Sequence, residues 1–212
     1  MKFARILLLT ACLAGVSGAS GAAYDDLINA AELGDARTVA NFIDRGLDVN
    51  SVDKRGEPLL VIAARNGSVD LVKALIERRA KLDGVNAVGE TALAVAAYNG
   101  HDKVAGLLLD AGANPVNVHG WSALHYAAMQ GHAGMLQALI ARGAPVDALA
   151  PNGSTALMLA ARSSSLDAVR VLLDARADAR IRGRDGETAV DWAMKAKNTD
   201  AAALIRAAMG EP

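Results

Sequence analysis

Four histidines, His101, His119, His125 and His132, are the side chains best placed to exchange protons near neutral pH. A zinc site would need histidines or cysteines paired at close spacing, and no such pair occurs. Adjacent carboxylates such as Asp25-Asp26 could form an acid–base dyad, but at the start of a helical pattern they form a solvated first turn. The run Ser163-Ser164-Ser165 lacks the glycine-framed turn that presents a nucleophilic serine. The glycines are spaced for helix ends, not for a loop that cradles phosphate. These residues therefore predict a chain that is not an enzyme, with no cofactor and no metal.

The elements that carry these residues begin after a segment of different character. Lys2 and Arg5 give a positive start, Ile6 to Val16 is mostly apolar, and Ser17 to Ala23 is all Ser, Gly and Ala. That order is a secretory signal. The apolar run is too short for a bilayer span, so no membrane span is expected after cleavage. Residues 1–22 are read as the signal, with cleavage after Ala22 and with Ala19 and Ala23 as alternative sites. The competing reading, a first helix buried in the domain, needs a polar face that this segment lacks. Leu9-Thr10-Ala11-Cys12 resembles a bacterial lipobox, so a lipid anchor on Cys12 is the alternative fate. The expected location is periplasmic or secreted. Cleavage removes the only cysteine, which leaves packing alone to stabilise the mature chain.

Charge excludes one class of partner. Lys plus Arg is 22 and Asp plus Glu is 23, and no basic block stands out, so no nucleic acid is expected. The composition is rich in Ala and Leu and poor in aromatics, which favours close-packed helices.

The helices repeat. Glycines at 56, 89, 120, 153 and 186 each open a related line, as in Gly89-Glu90-Thr91-Ala92-Leu93 and Gly153-Ser154-Thr155-Ala156-Leu157. The intervals are 33, 31, 33 and 33 residues. Thr or Ser two residues after the glycine (Thr91, Ser122, Thr155, Thr188) suits an N-cap. Apolar residues at +4, +7 and +8 share one helical face, with Ala-Ala at +7 and +8, as in Ala96-Ala97 and Ala160-Ala161. Glycine at +11 (Gly34, Gly67, Gly100, Gly131) closes this first helix. A second helix carries apolar residues at +16, +19 and +20 and stops near +23.

A period of 33, Gly-x-Thr-x-Leu, Ala-Ala, Gly-His and a closing Gly-Ala together resemble the ankyrin repeat over roughly residues 24–210. The resemblance implies an all-α helical repeat solenoid of about six units, including atypical terminal caps, with short β-hairpin fingers. The units fall near 23–52, 53–85, 86–118, 119–149, 150–182 and 183–210. It also implies framework roles for His101, His125 and His132. The family proline at +3 is absent, Ser164 and Lys197 replace the first stop glycine, and the 31-residue interval predicts a stunted finger around Pro115 and Asn117.

The same resemblance places partner contacts on a concave face made by finger tips and first helices. It selects Arg55, Glu57, Arg65, Asn66, Tyr98, Asn99, His119, Trp121, Met129, Gln130, Arg162 and Arg184. Tyr98, Trp121 and Met129 would flank a notch left by the short finger, with His119 at its lip and free of framework duty. Trp121 either anchors a partner or folds back as core. Tyr126 and Trp192, at +6, are expected to be core. The resulting expectation is an exported, monomeric module that binds a protein partner. A structural or protective accessory to an exported enzyme or envelope complex is the alternative.

Overall fold

The computed structural model describes residues 17–210; Cys12 and most of the expected signal lie outside them. Among the described residues twelve helices run as six antiparallel pairs: α1 (Ser17–Glu32) with α2 (Ala36–Asp44), α3 (Leu59–Arg65) with α4 (Val69–Glu77), and α5 (Ala92–Asn99) with α6 (Asp102–Asp110). The series continues with α7 (Ala123–Gln130) and α8 (Ala133–Ala141), α9 (Ala156–Arg162) and α10 (Leu166–Asp174), and α11 (Ala189–Lys195) and α12 (Thr199–Met209). Odd-numbered helices stack on odd and even on even, so the chain builds two parallel rows. No helix among the described residues is long and apolar enough to cross a membrane.

The small residues set the stacking distance. Ala96, Ala97, Ala127, Ala128, Ala160 and Ala161 are fully buried between consecutive first helices. Leu71, Leu75, Leu108, Leu136 and Leu172 fill the seam of the second row. Local chemistry fixes the helix ends. Thr91 accepts the Ala94 N–H at 3.2 Å and Thr155 accepts that of Met158 at 3.3 Å. Gly100 closes α5 at φ +71°, and a side chain there would meet the His132 ring at 2.9 Å. Lys197 adopts the same left-handed geometry at φ +59° without being glycine.

The histidines hold neighbouring units together. His101 Nε2 lies 3.0 Å from the Arg65 carbonyl and His132 Nε2 lies 2.8 Å from that of Tyr98. His125 is buried; its Nε2 faces the Ala148 carbonyl at 3.0 Å while Nδ1 accepts the Ser122 N–H at 3.1 Å. This geometry needs the neutral ring, and burial pushes the pKa of His125 below its ordinary 6.5, partly opposed by the Ala148 hydrogen bond. The unfolded chain thus takes up the proton first as pH falls through 6.5, and stability drops with acidification from there. Urea midpoints at pH 7.5 and 5.5 should differ more for the native chain than for His125→Asn. Equal differences would show that another group carries the acid sensitivity.

The fourth finger is not stunted, contrary to the sequence expectation. Each finger is a tight turn pinned by one antiparallel bridge or its equivalent bond, and Val116–Ser122 matches Val52–Pro58 and Val85–Thr91. The closing bond from the Asn117 N–H to the Trp121 carbonyl, 2.9 Å, has counterparts at Asp53–Glu57 and Asn86–Glu90. The missing two residues lie earlier, between Gly112 and the finger. There three other connections carry an acceptor side chain that reaches the next unit: Asn50 accepts the Lys81 N–H, Asp83 that of Asn114 and Asp147 that of Asp178, all at 2.8–2.9 Å, while the connection to the last unit carries Arg180, which donates to the Met209 carbonyl. The deletion removes that acceptor, and the residue that would have donated to it is Pro145, which has no N–H.

Candidate partner-binding groove

Fingers and first helices border common recesses. One is lined by Arg55, Glu57 and Arg65 together with Asn86, Ala87 and Val88 of the next finger. Another places Asp185 and Glu187 of the last finger against Arg162, Trp192 and Lys195. Arg55, Asn66, Tyr98, Asn99, His119, Gln130, Arg162 and Arg184 are exposed, as the repeat register predicts. Arg65, Trp121 and Met129 are half-buried on the same side.

Glu57 departs from expectation. It is buried, not offered to a partner, because the Arg65 guanidinium closes on its carboxylate and Arg55 approaches to 3.7 Å. His119 also has the framework role that the sequence denied it. Its Nε2 lies 3.2 Å from the Val88 carbonyl and its ring covers Gly89, where an added side chain would collide at 2.1 Å. The fourth finger therefore leans on the third, and no notch separates them.

What lies at the centre is an aromatic patch. Tyr98 meets Tyr126 edge-on at 6.4 Å, Trp121 meets Tyr126 at 6.1 Å, and Trp121 meets His125 edge-on at 5.8 Å. Tyr126 is half-buried rather than core, and so is Trp192. Asn117 organises the patch: its Oδ1 accepts the His119 and Trp121 N–H groups at 3.0 and 2.9 Å, and its Nδ2 donates to the Tyr126 hydroxyl at 2.9 Å. Burial, and then the nearby Glu90 carboxylate, raise the Tyr126 pKa, so its hydroxyl stays protonated. The signal for Asn117 was present in the sequence. Asp53, Asn86 and Asn117 each precede a leading glycine by three residues. Val88 and Val118, on the tips above the patch, are about two-thirds exposed, so the apolar surface runs from helix to finger.

The two arms differ in charge. In the N-terminal arm Arg55 bonds Asp53 at 2.9 Å, Arg65 holds Glu57, and Lys54 pairs with Asp25 at 3.3 Å. In the C-terminal arm Lys195 holds Glu187, while Arg162 and Arg184 have no carboxylate partner among the described residues. The Arg162 guanidinium stands 5.2 Å over the Trp192 ring. No group of three or more His, Cys, Asp or Glu side chains among the described residues could hold a metal ion.

Comparison with known proteins agrees with this architecture. The family described as ankyrin repeats (3 copies) matches residues 27–119, 89–150 and 124–210. An ankyrin repeat-containing protein of Treponema pallidum (strain Nichols) is 39% identical over 98 residues, 45% of this chain and 33% of that protein. The neurogenic locus notch homolog protein 1 of Xenopus tropicalis is 36% identical over 96 residues, 45% of this chain and 4% of that protein. This chain therefore spans a minor part of either relative. Ankyrin repeats generally mediate protein–protein interaction, and with the family matches running from residue 27 to residue 210 this chain belongs to the ankyrin-repeat family.

Proposed function

We propose that this chain is an exported binding module that takes a protein partner in the groove between its fingers and first helices. The observation that carries this reading is the open patch of Tyr98, Trp121, Tyr126 and Met129 beneath Val88 and Val118. Large amphipathic side chains exposed together at the centre of a surface are typical interface anchors. The test is a pulldown from an envelope extract with the native chain and with a Tyr98→Ala/Trp121→Ala double variant. A specific protein retained by the first and lost by the second is the expected result. Equal retention by both, with both folded by circular dichroism, would move the binding face elsewhere.

Export rests on the order of positive, apolar and small residues before Tyr24. Among the described residues the core begins at Leu27, and Gly21 and Ala22, beside the proposed cleavage point, are exposed. Tyr24 survives such cleavage and keeps its hydroxyl on the Val52 carbonyl. Mass spectrometry of the cellular protein should find a mature N-terminus at or next to Ala23. An intact Met1, or a lipid-modified Cys12 at the terminus, would refute this placement.

A further inference from the structure

The joint between the fourth and fifth units breaks the repeat pattern on the groove side. His101 and His132 each brace the preceding first helix by reaching the carbonyl of its +9 residue, Arg65 or Tyr98. The equivalent residue of the fifth unit is Ser165. Its hydroxyl caps α10 by accepting the Ala168 N–H at 3.2 Å, and among the described residues no group donates to the Met129 carbonyl. Ser164 replaces the stop glycine, so α9 ends without a left-handed residue and the chain runs extended through Ser163, at φ −71° and ψ 164°. The room that a histidine ring would occupy is an open recess of about 800 Å³. Met129 and Gln130 form one wall, and Arg162, the three serines, Leu166, Asp167 and Arg170 form the other, with Asp167 held by Arg170 at 2.9 Å.

This recess adjoins the aromatic patch. Tyr126, Met129 and Gln130 are three and four residues apart on α7, one above another on a single face. Among the described residues Arg162 and Arg184 are groove cations that form no ion pair, although Asp185 and Glu187 border the recess on the far side of Arg162, whereas Arg55, Arg65 and Lys54 at the other arm are each paired. An incoming carboxylate thus finds a guanidinium not already held in an ion pair at one arm only. The Trp192 ring beneath Arg162 holds that guanidinium in place before a ligand arrives.

We infer that the groove binds an extended protein segment in which a bulky apolar residue sits on Trp121 and Tyr98 and an Asp or Glu a few residues away enters the recess beside Arg162. This rests on the groove reading above. One helical turn along α7 and one helix spacing to α9 together span roughly 10 Å. At ~3.3 Å per extended residue, the two ligand side chains are about three positions apart. The Ser164 and Ser165 hydroxyls offer the carboxylate further donors, while Ser163 already donates to the Ala160 carbonyl and the Asp167 carboxylate is engaged by Arg170.

The test is panning a random dodecapeptide phage library on the purified chain, followed by fluorescence anisotropy with a labelled synthetic copy of the most enriched peptide. The expected pool carries Trp, Phe or Leu with Asp or Glu about three positions away. Arg162→Glu should weaken the labelled peptide at least tenfold, and exchanging its acidic residue for Lys should restore part of the loss. Arg162→Gln, should Arg162→Glu disturb folding, is expected to give a smaller loss in the same direction. Arg162 is exposed, so the melting temperature checks that the fold is intact. Peptides that depend on Trp121 but not on Arg162 would overturn this inference and leave the groove standing. Peptides insensitive to both would remove the groove as well, and a library with no enriched peptide would exclude an extended segment as the occupant.

Discussion

Leucine in place of Ala160 or Ala96 lowers the thermal midpoint by roughly 2–12 °C, equivalent to about 1–3 kcal/mol of overpacking in a chain of this size. Both alanines are fully buried on the face where one first helix meets the next. Three added heavy atoms have nowhere to go, because both positions are fully buried where the first helices stack. The stack can answer only by separating two units, which loosens the fingers joined to them. Ala203, exposed on α12, is the control: leucine there leaves the midpoint unchanged. An unchanged midpoint for Ala160→Leu would mean that the first helices do not approach one another as closely as the structure shows.

Trp121→Ala acts on two quantities at once. The sequence offered two exclusive roles for this residue, partner anchor or core. The structure makes it half-buried, with one face against Tyr126 and the edge of His125 and the rest open. Full burial would make truncation cost about 3–5 kcal/mol of stability. Partial burial brings the expected loss down to roughly 1–2 kcal/mol, since less apolar surface returns to water. Partner binding should weaken by about 2 kcal/mol or more, as for an interface hot spot. Trp121→Phe separates the effects, retaining the contact with Tyr126 while reducing the surface offered outward. In a Trp192→Phe background, Trp121 emission should be red-shifted and quenchable, and should shift blue when partner is added. A blue-shifted, protected indole in the free protein would mean that Trp121 is core.

The fold was legible in the sequence because its punctuation is glycine and its spacing is regular. The same spacing led to the exposed groove residues, from Arg55 to Arg184. What escaped depended on side-chain size and on partners distant in sequence. At the +6 position Ile62, Val95 and Leu159 are buried, so Tyr126 and Trp192 looked like core. A bed that covers an aliphatic side chain cannot cover a ring, and the excess spills into the groove. Glu57 looked like a contact because the repeat register puts it at a groove position, yet Arg65 folds over it from the end of α3. His119 looked free because its support, the Val88 carbonyl, belongs to the previous finger. The 31-residue interval was read correctly as a deletion and wrongly as a deletion of the tip, since counting residues does not reveal which turn is absent.

That deletion has a consequence for how such an array can be rearranged. Tandem repeats are commonly pictured as beads that can be duplicated, lost or reordered at will. Here the third unit's shortened connection offers no acceptor to its successor, and the fourth unit, through Pro145, asks for none. Any other unit placed in that slot would bring a backbone N–H with no side chain to meet it. The third unit, moved elsewhere, would strand a donor in its new neighbour. The two form an ordered couple, and recombination that carries them together preserves the stack's polar pairing at this joint.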